Sequence, residues 1–265
     1  LDYSVRSDRI TVDLDSIIGG ETVLGGLGDD ALLGLTANTT WNITGANAGN
    51  VVDTFFSGFE NLTGKIDNED TFVLTASGSL SGVMDGGGAG FDSLVLDGGT
   101  YNSVVYAASG PNSGTIVRDG QLISYAGLEP ITDTSTVADR VISTQGVFPA
   151  PIDELGLLGD NRDERATLTY NGSTLSFAPV SPFLTFESVT FNDPTNSLTI
   201  NLGGDLGIPF LSKDVLTINS FDVAGVDLTI NGDAGRGEVV LVGSVPAADL
   251  AINADNITIL STVNP

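Results

Sequence analysis

The sequence contains no histidine and no cysteine, and only nine of its 265 residues are basic. The absence of imidazole and thiol groups excludes Ser-His-Asp and Cys-His catalysis, imidazole- or thiolate-bound zinc, and disulfides. Nucleic-acid binding is not expected either, because phosphate contacts depend on Lys and Arg. No run of about 18 consecutive apolar residues occurs, so we expect no membrane-spanning helix.

Acidic residues, by contrast, are abundant: 26 Asp and 8 Glu give a formal net charge of −25. Hydrophobic residues make up 41% of the chain, which is too many for a disordered acidic tail. Asp and the 34 glycines favour turns over helices. The composition therefore predicts a folded, turn-rich β-protein. Because no charged-then-apolar leader begins the sequence, we interpret it as a piece of a longer polypeptide.

Internal repeats are visible in the first half of the chain. Two segments, residues 25–33 and 87–95, match the nonapeptide G-G-x-G-x-D-x-U-x, in which U is a large apolar residue. Two further similar blocks follow each copy in the same order, at residues 45–52 and 57–62 and at residues 110–117 and 125–131. The separations of 62, 65 and 69 residues between matching blocks predict a duplicated unit of about 65 residues.

The second half contains a repeated tetrapeptide, Leu-Thr-Ile-Asn. It begins at Leu198, Leu216 and Leu228, and a near copy begins at Leu250. Its alternation predicts strands with Leu and Ile directed inward and Thr directed outward. We interpret the terminal Asn side chains as a stacked ladder between neighbouring strands rather than as a binding site.

Other side chains that could take part in catalysis or ligand binding are interpreted as structural residues. Four aromatic residues lie in strand-like segments and are predicted to be core residues rather than sugar-stacking platforms: Trp41, Phe55, Phe56 and Phe59. Arg162 and Arg165 lie beside Asp160 and Asp163, and we interpret this cluster as surface ion pairs. No catalytic residue is predicted, and we expect no enzyme.

Many short strands, separated by Gly, Asp and Asn turns and combined with repeats, favour an all-β fold. The leading prediction is a right-handed parallel β-helix, or β-solenoid, with coils of about 22 residues, and a β-sandwich pair is the alternative. We expect a solenoid region with the two repeats over residues 1–135 and a second β-solenoid region over residues 166–265. Residues 136–165 are predicted to be a charged excursion or junction between them.

The nonapeptides resemble the repeats-in-toxin (RTX) family of secreted bacterial proteins, in which calcium lies between stacked Gly-Asp turns. The resemblance implies Ca²⁺ as a cofactor, which suits the oxygen ligands that carboxylates and turn carbonyls offer. The candidate metal ligands are Glu21, Gly25, Gly28, Asp30, Gly87, Gly90 and Asp92. The alternative is that these segments are degenerate turns, retained because glycine allows positive φ.

Longer segments resemble modules of giant bacterial surface and adhesin-like proteins, mainly residues 40–49, 56–64, 227–232 and 251–258. The resemblance implies an exported, repetitive protein outside the cell or on the bacterial surface, and it carries over no catalytic residue. We therefore expect a non-enzymatic structural or adhesive module of a large secreted surface protein, stabilised by calcium. The expected partners are other segments of that protein, a cell-surface glycan or neighbouring cell, and further copies through the solenoid ends. The alternatives are a calcium-dependent glycan-binding module and a β-helix enzyme acting on polysaccharide.

Overall fold

The computed structural model describes residues 1–17, 20–144, 165–180, 186–202, 214–232 and 237–260. These residues form an all-β structure in which the regular elements are strands, apart from one 3-10 turn at Leu14–Ser16. In this described part of the chain, no helix is long and apolar enough to span a membrane. The chain divides into two compact units: unit 1 is Leu1–Thr100 with Gly120–Ser135, and unit 2 is Tyr101–Asp119 with Thr136–Pro265.

The strands of unit 1 are short, and each is bounded by turns rich in Gly, Asp and Asn. They are β1 (Thr11–Asp13), β2 (Thr22–Leu24), β3 (Ala31–Leu33), β4 (Thr40–Gly45), β5 (Ala48–Val51), β6 (Thr54–Ser57), β7 (Asn61–Thr63), β8 (Thr71–Thr75), β9 (Val83–Asp85), β10 (Ser93–Asp97), β13 (Gln121–Ala126) and β14 (Ile131–Asp133). In unit 2 the strands are β11 (Thr100–Gly110), β12 (Ser113–Arg118), β15 (Thr136–Ser143), β16 (Arg165–Tyr170), β17 (Thr174–Pro179), β18 (Val189–Asn192), β19 (Ser197–Asn201), β20 (Val215–Ile218), β21 (Asp227–Asn231), β22 (Glu238–Leu241), β23 (Leu250–Asn253) and β24 (Asn256–Ile259).

One sheet of unit 1 has the order β1-β3-β7-β9-β13, and its described pairings are parallel. Val12, Leu32, Leu62 and Met84 lie opposite one another in this sheet, at successive separations of 20, 30 and 22 residues. All four side chains are buried. Because side chains alternate between the two faces of a strand, each strand contributes an inward apolar residue to one continuous core.

The other sheet of unit 1 has the order β2-β6-β5-β4-β8-β10-β14. Strands β4, β5 and β6 form an antiparallel meander, which pairs in parallel with β2 through β6 and with β8 through β4. Asn47, with φ of 48°, closes the β4–β5 hairpin. The sequence pattern predicts parallel pairing alone, so this meander is a difference from the expected fold. The described pairings of unit 1 are mostly parallel.

The two copies of the 65-residue repeat begin in different sheets of unit 1. The last three residues of the first nonapeptide form strand β3, which pairs with β1 and β7. Strand β10 begins within the second nonapeptide, at Ser93, and pairs with β8 and β14. In the last block of each copy, Phe59 and Leu128 occupy matching buried positions. The two copies predicted from the sequence therefore begin in different sheets.

In unit 2, strands β15, β19, β21 and β23 are neighbours in one sheet and pair in parallel. Strands β16, β17 and β18 form a second antiparallel meander, and β16, β20, β22 and β24 pair in parallel. Leu198 and Ile200 in β19 are buried, as are Leu228 and Ile230 in β21, whereas Thr199 is not. The predicted inward and outward positions are confirmed for β19, β20 and β21, whereas Leu250 of the near copy in β23 is exposed.

Strand β15 (Thr136–Ser143) occupies the first part of the segment 136–165, for which the sequence predicts an excursion. Residues 145–164 lie outside the described residues, and so does the predicted cluster at Asp160, Arg162 and Asp163. Arg165, the remaining member of that cluster, begins β16.

Candidate functional site

Asp30, the aspartate of the first nonapeptide, is fully buried at the residue before β3. Its Oδ1 accepts the backbone N–H of Ile10 at 2.9 Å, and its Oδ2 accepts the backbone N–H of Gly26. The N–H of Asp30 in turn donates to Oε2 of Glu60 at 2.8 Å. Both carboxylate oxygens of Asp30, and one of Glu60, therefore bind backbone N–H groups.

Asp92, the aspartate of the second nonapeptide, is buried at the residue before β10. Its Oδ1 accepts the backbone N–H of Asp70 at 2.6 Å. Asp70 is itself buried, and its Oδ1 accepts the N–H of Thr39 and the Nδ2 of Asn68, both at 2.9 Å. The indole N–H of Trp41 lies 3.4 Å from Oδ2 of Asp70. Asp70 was missed in the sequence, because no Gly-Gly pair precedes it.

These contacts repeat one arrangement, in which an acidic residue before a strand accepts the N–H of the residue before the neighbouring strand. The chain then enters the parallel ladder: the N–H of Thr71 donates to the carbonyl of Thr39 at 2.9 Å, and that of Ser93 to the carbonyl of Asp70 at 2.8 Å. A buried backbone N–H without an acceptor is costly, and a carboxylate is a strong acceptor. We call the pairs Asp30–Glu60 and Asp70–Asp92 the aspartate stacks.

Each stack aspartate has a glycine five or six residues before it in the chain. A Cβ at that glycine would clash with a backbone carbonyl oxygen from a turn that is adjacent in space. It would also lie too close to the carboxylate of the stack aspartate. The separations between such a Cβ and the nearest carboxylate oxygen are 3.2 Å for Gly25 and Asp30, 2.8 Å for Gly64 and Asp70, and 2.8 Å for Gly86 and Asp92. Glycine is required here by close approach of the backbone.

Burial makes the carboxyl groups of the Asp70–Asp92 stack weaker acids than ordinary aspartates. It raises the pKa of Asp92 from 3.8 to about 6, and the negative charges of Asp70, Asp85 and Glu69 act in the same direction. Burial also raises the pKa of Asp70, although its hydrogen bonds to Trp41, Thr39 and Asn68 oppose the change. Both carboxyl groups therefore hold their protons more tightly in the folded chain than in the unfolded one.

The predicted metal-ligating residues lie in several separate places. Glu21 is exposed and precedes β2, whereas Asp30 precedes β3 in the other sheet. Gly25 and Gly28 do not have the positive φ that the pattern predicts; at both, backbone atoms occupy the space of a Cβ. Gly87 and Gly90 have φ of 98° and 99°, as predicted, and lie before Asp92.

These positions do not form one calcium ligand set. Asp30 would have to give up two backbone hydrogen bonds to bind a cation with both oxygens, and it is stacked with Glu60 rather than with Asp92. Within the described ranges, no group of three or more acidic side chains converges so as to hold a metal ion. Calcium binding by Asp30 or Asp92 stays a prediction.

Unit 2 joins neighbouring strands through amide side chains. Nδ2 of Asn231 donates to Oδ1 of Asn201 at 2.8 Å, and Nδ2 of Asn253 donates to Oδ1 of Asn231 at 2.8 Å. The predicted asparagine ladder is confirmed for these three residues. Asn219, the fourth, follows β20 in the other sheet and does not belong to the ladder.

Three of the four aromatic residues that the sequence predicts to be in the core lie in the core of unit 1. Trp41, Phe56 and Phe59 are buried, and the Trp41 ring stacks on Phe72 with a centroid separation of 5.2 Å. Phe55 is 60% exposed, so its predicted place in the core is wrong. Consecutive residues of a strand point to opposite faces, and β6 directs Phe56 inward.

Comparison of the chain with protein-family models, with curated proteins and with solved structures gives no match. The geometry of the aspartate stacks and of the asparagine ladder is therefore the ground for a functional conclusion. Both features consist of hydrogen bonds between neighbouring strands of the same chain.

Proposed function

We propose that this chain is a non-enzymatic structural or adhesive module of a large secreted bacterial surface protein, built as a right-handed parallel β-helix. The observation that carries this proposal is the inward orientation of the stack carboxylates. Acids that act on a substrate must reach the proton they transfer. Asp30, Asp70 and Asp92 are instead buried, and they bind backbone N–H groups that begin neighbouring strands. These acids therefore support the scaffold.

The path of the chain supports the β-helix. Strands β7 and β9 pair in parallel in one sheet, and β8, which lies between them in the chain, pairs in parallel with β10 in the other. These four successive strands thus alternate between two sheets and return one position further along each, as in a coil. Crossover connections between parallel strands are right-handed in about 98% of cases, which supports the proposed hand.

The surface-protein role is supported by composition and by resemblance. A chain without cysteine needs no disulfide chemistry on export, and a net charge of −25 keeps it soluble. Residues 40–49 and 56–64 carry the resemblance to adhesin-like modules. An antibody raised against this chain should label intact cells that produce the whole protein. Labelling that appears only after the cells are lysed would contradict the proposed location.

A glycan array, probed in calcium and in EDTA, separates the structural module from a calcium-dependent glycan-binding module. We expect no glycan to retain the chain under either condition. Retention in calcium that EDTA abolishes would replace the structural role by glycan binding. Release of reducing ends from a polysaccharide by the same preparation would instead favour the enzyme.

Stabilisation by calcium is the part of the proposal that follows from the RTX resemblance. A cation held by the acidic turns would bind the folded chain and not the unfolded one, so the melting temperature should be higher in calcium than in EDTA. Magnesium at the same concentration is the control, because it demands a stricter ligand geometry. Identical melting curves in calcium and EDTA would contradict calcium binding and leave the aspartate stacks unaffected.

A further inference from the structure

The dipeptide Asn-Gly occurs twice in the sequence, and both copies lie in unit 2. Asn171-Gly172 lies in the connection between the antiparallel strands β16 and β17, whereas Asn231-Gly232 lies at the end of β21. An asparagine that precedes glycine is open to an intramolecular reaction, because glycine has no Cβ to hinder the approach of its own nitrogen to the asparagine side chain. Both copies carry the same reactive atoms, so the fold determines which of them reacts.

The first copy is exposed and is held by few contacts. Asn171 and Gly172 are both exposed, and apart from chain neighbours no atom lies within 4 Å of the position that a Cβ would occupy at Gly172. The N–H of Asn171 donates to the carbonyl of Thr174 at 2.8 Å, and the hydroxyl of Tyr170 donates to the carbonyl of Gly172 at 2.6 Å. In the part of the chain that the structure describes, no hydrogen bond engages the Asn171 side chain or the Gly172 N–H.

The second copy has both of these groups bound. Nδ2 of Asn231 donates to Asn201, and its Oδ1 accepts from Asn253 in the asparagine ladder. The N–H of Gly232 donates to the backbone carbonyl of Asn253 at 2.7 Å, and a Cβ at Gly232 would lie 3.2 Å from that same oxygen. Strand β21 also pairs on both sides, with β19 and β23. Any rotation that brings the Gly232 nitrogen to the Asn231 side chain must therefore break several hydrogen bonds.

We propose that Asn171 is a site of spontaneous deamidation, and that the asparagine ladder protects Asn231 from the same reaction. The nitrogen of Gly172 bonds to the side-chain carbon of Asn171, the C–N bond of the side-chain amide breaks, and the Gly172 proton leaves with the amino group as ammonia. The resulting succinimide takes up one water at either of its carbonyls and opens to aspartate or isoaspartate. One water is consumed and one ammonia is released, with no oxidation or reduction.

The approach of the two reacting atoms costs less at the β16–β17 connection than at β21. The Gly172 nitrogen and the Asn171 side-chain carbon must come within about 3.5 Å of each other. At the end of a hairpin this rotation disturbs one backbone hydrogen bond, from Asn171 to Thr174, and local opening is easiest where contacts are few. The product adds one negative charge to a chain of net charge −25, and isoaspartate also lengthens the main chain of the connection by one methylene group. The reaction does not depend on the proposed surface-protein role.

Peptide mass spectrometry of the full wild-type chain, incubated in its folded state at mildly alkaline pH, tests the proposal. Deamidation makes a peptide heavier by about 1 Da, and chromatographic retention separates isoaspartate from aspartate. We expect the peptide that contains Asn171 to deamidate about ten-fold faster than the peptide that contains Asn231, with isoaspartate among its products. In urea, where the ladder is lost, the two rates should become similar.

Two variants assign the reaction and its protection. N171S removes the reactive amide from a side chain that makes no described hydrogen bond, so its melting curve should be unchanged and the isoaspartate of the folded chain should disappear. N201A removes the acceptor of the Asn231 amide, so it should raise the deamidation rate of Asn231 and leave that of Asn171 unchanged.

Equal deamidation rates at Asn171 and Asn231 in the folded wild-type chain would overturn the proposal, whether or not either variant folds. Isoaspartate that persists in N171S would place the reaction at another residue and would also overturn it. An unchanged Asn231 rate in folded N201A would show that the ladder does not protect Asn231, which contradicts the second half of the proposal.

Discussion

Units 1 and 2 join neighbouring strands with different chemistry. An asparagine side chain both donates and accepts, so Asn231 is satisfied by its copies Asn201 and Asn253. An ionised carboxylate only accepts, so Asp70 and Asp92 need donors: both accept backbone N–H groups, and Asp70 also accepts from side chains. The asparagine ladder is therefore indifferent to pH, whereas the Asp70–Asp92 stack is not.

The single tryptophan makes this comparison measurable. Trp41 is buried in unit 1, stacked on Phe72, with its indole N–H directed at Asp70. Its fluorescence therefore reports the unfolding of unit 1. Hydrogen exchange of peptides that cover β19 and β21 reports the asparagine ladder of unit 2.

Replacing Asp70 by alanine should have the largest effect. The variant leaves the N–H of Thr39 and the indole of Trp41 without their acceptor in a buried site, and it removes one of the three acceptors of the Asn68 amide. Unsatisfied buried donors cost about 1–3 kcal/mol each, so we expect unit 1 to lose about 3 kcal/mol. Urea denaturation followed by Trp41 fluorescence measures this loss.

The matched control for that variant is Asp53→Ala, which removes an exposed aspartate from the same unit. It should change stability by less than about 0.5 kcal/mol, as most surface substitutions do. Equal losses in the two variants would mean that burial of the carboxylate contributes nothing specific. The buried carboxylates would then not be what joins the strands of unit 1, and the chemical difference between the two units would not hold.

The stability of unit 1 should depend on pH. The pKa of Asp92 is raised from 3.8 to about 6 in the fold, so the fold favours the protonated carboxyl. The resulting stability is fully present below the unfolded pKa and is lost as pH rises through 6. Between pH 5 and pH 7.5 we expect unit 1 to lose about 1.4 kcal/mol through this group. Urea midpoints from Trp41 fluorescence at the two pH values measure the change.

The variant Asp92→Asn identifies the group responsible. Its Oδ1 can still accept the N–H of Asp70, but it carries no ionisable proton. Its unit 1 should be more stable than wild type at both pH values and by the larger margin at pH 7.5, with a smaller pH dependence that comes from Asp70. A variant with the full wild-type pH dependence would show that Asp92 is not the titrating group.

The smallest effect is expected in unit 2. Asn231→Ala breaks both hydrogen bonds at the centre of the ladder, and the loss should be about 1 kcal/mol at pH 5 and at pH 7.5 alike. Hydrogen exchange of β19 and β21 measures it. Asn219→Ala is the control from the same tetrapeptide: its side chain makes one exposed bond, to Thr169 Oγ1 at 3.0 Å, and its loss should be smaller. A ladder whose contribution changes between these pH values would contradict its neutral character.

Parts of this fold can be predicted from the sequence, because the alternation of apolar and polar residues along one strand shows which side chains point inward. The inward Leu228 and Ile230 follow from their tetrapeptide alone, and the Asn231 contacts follow from stacking identical strands. Phe55 was misplaced because adjacent apolar residues do not reveal which of them faces inward. That choice depends on the partners of β6 in the sheet.

The aspartate stacks could be predicted only in part. The nonapeptide pattern identifies Asp30 and Asp92 as candidate cation ligands, but it does not reveal that their carboxylates accept backbone N–H groups. The signal for Asp70 was present, since Asp70-Thr71-Phe72-Val73-Leu74 resembles Asp92-Ser93-Leu94-Val95-Leu96 and pairs with it. The antiparallel meanders were not predicted, because repeat spacing does not record the direction in which a strand runs.

The predicted duplication in the first half of the chain determines in which sheets its repeated outward side chains lie. Strands β3 and β10 begin the two copies in opposite sheets. A side chain that the repeat carries on the outward face of its first strand therefore occurs once in each sheet, and its two copies never lie on neighbouring strands of one sheet. A second copy of this unit thus extends both sheets without placing equal outward side chains next to each other.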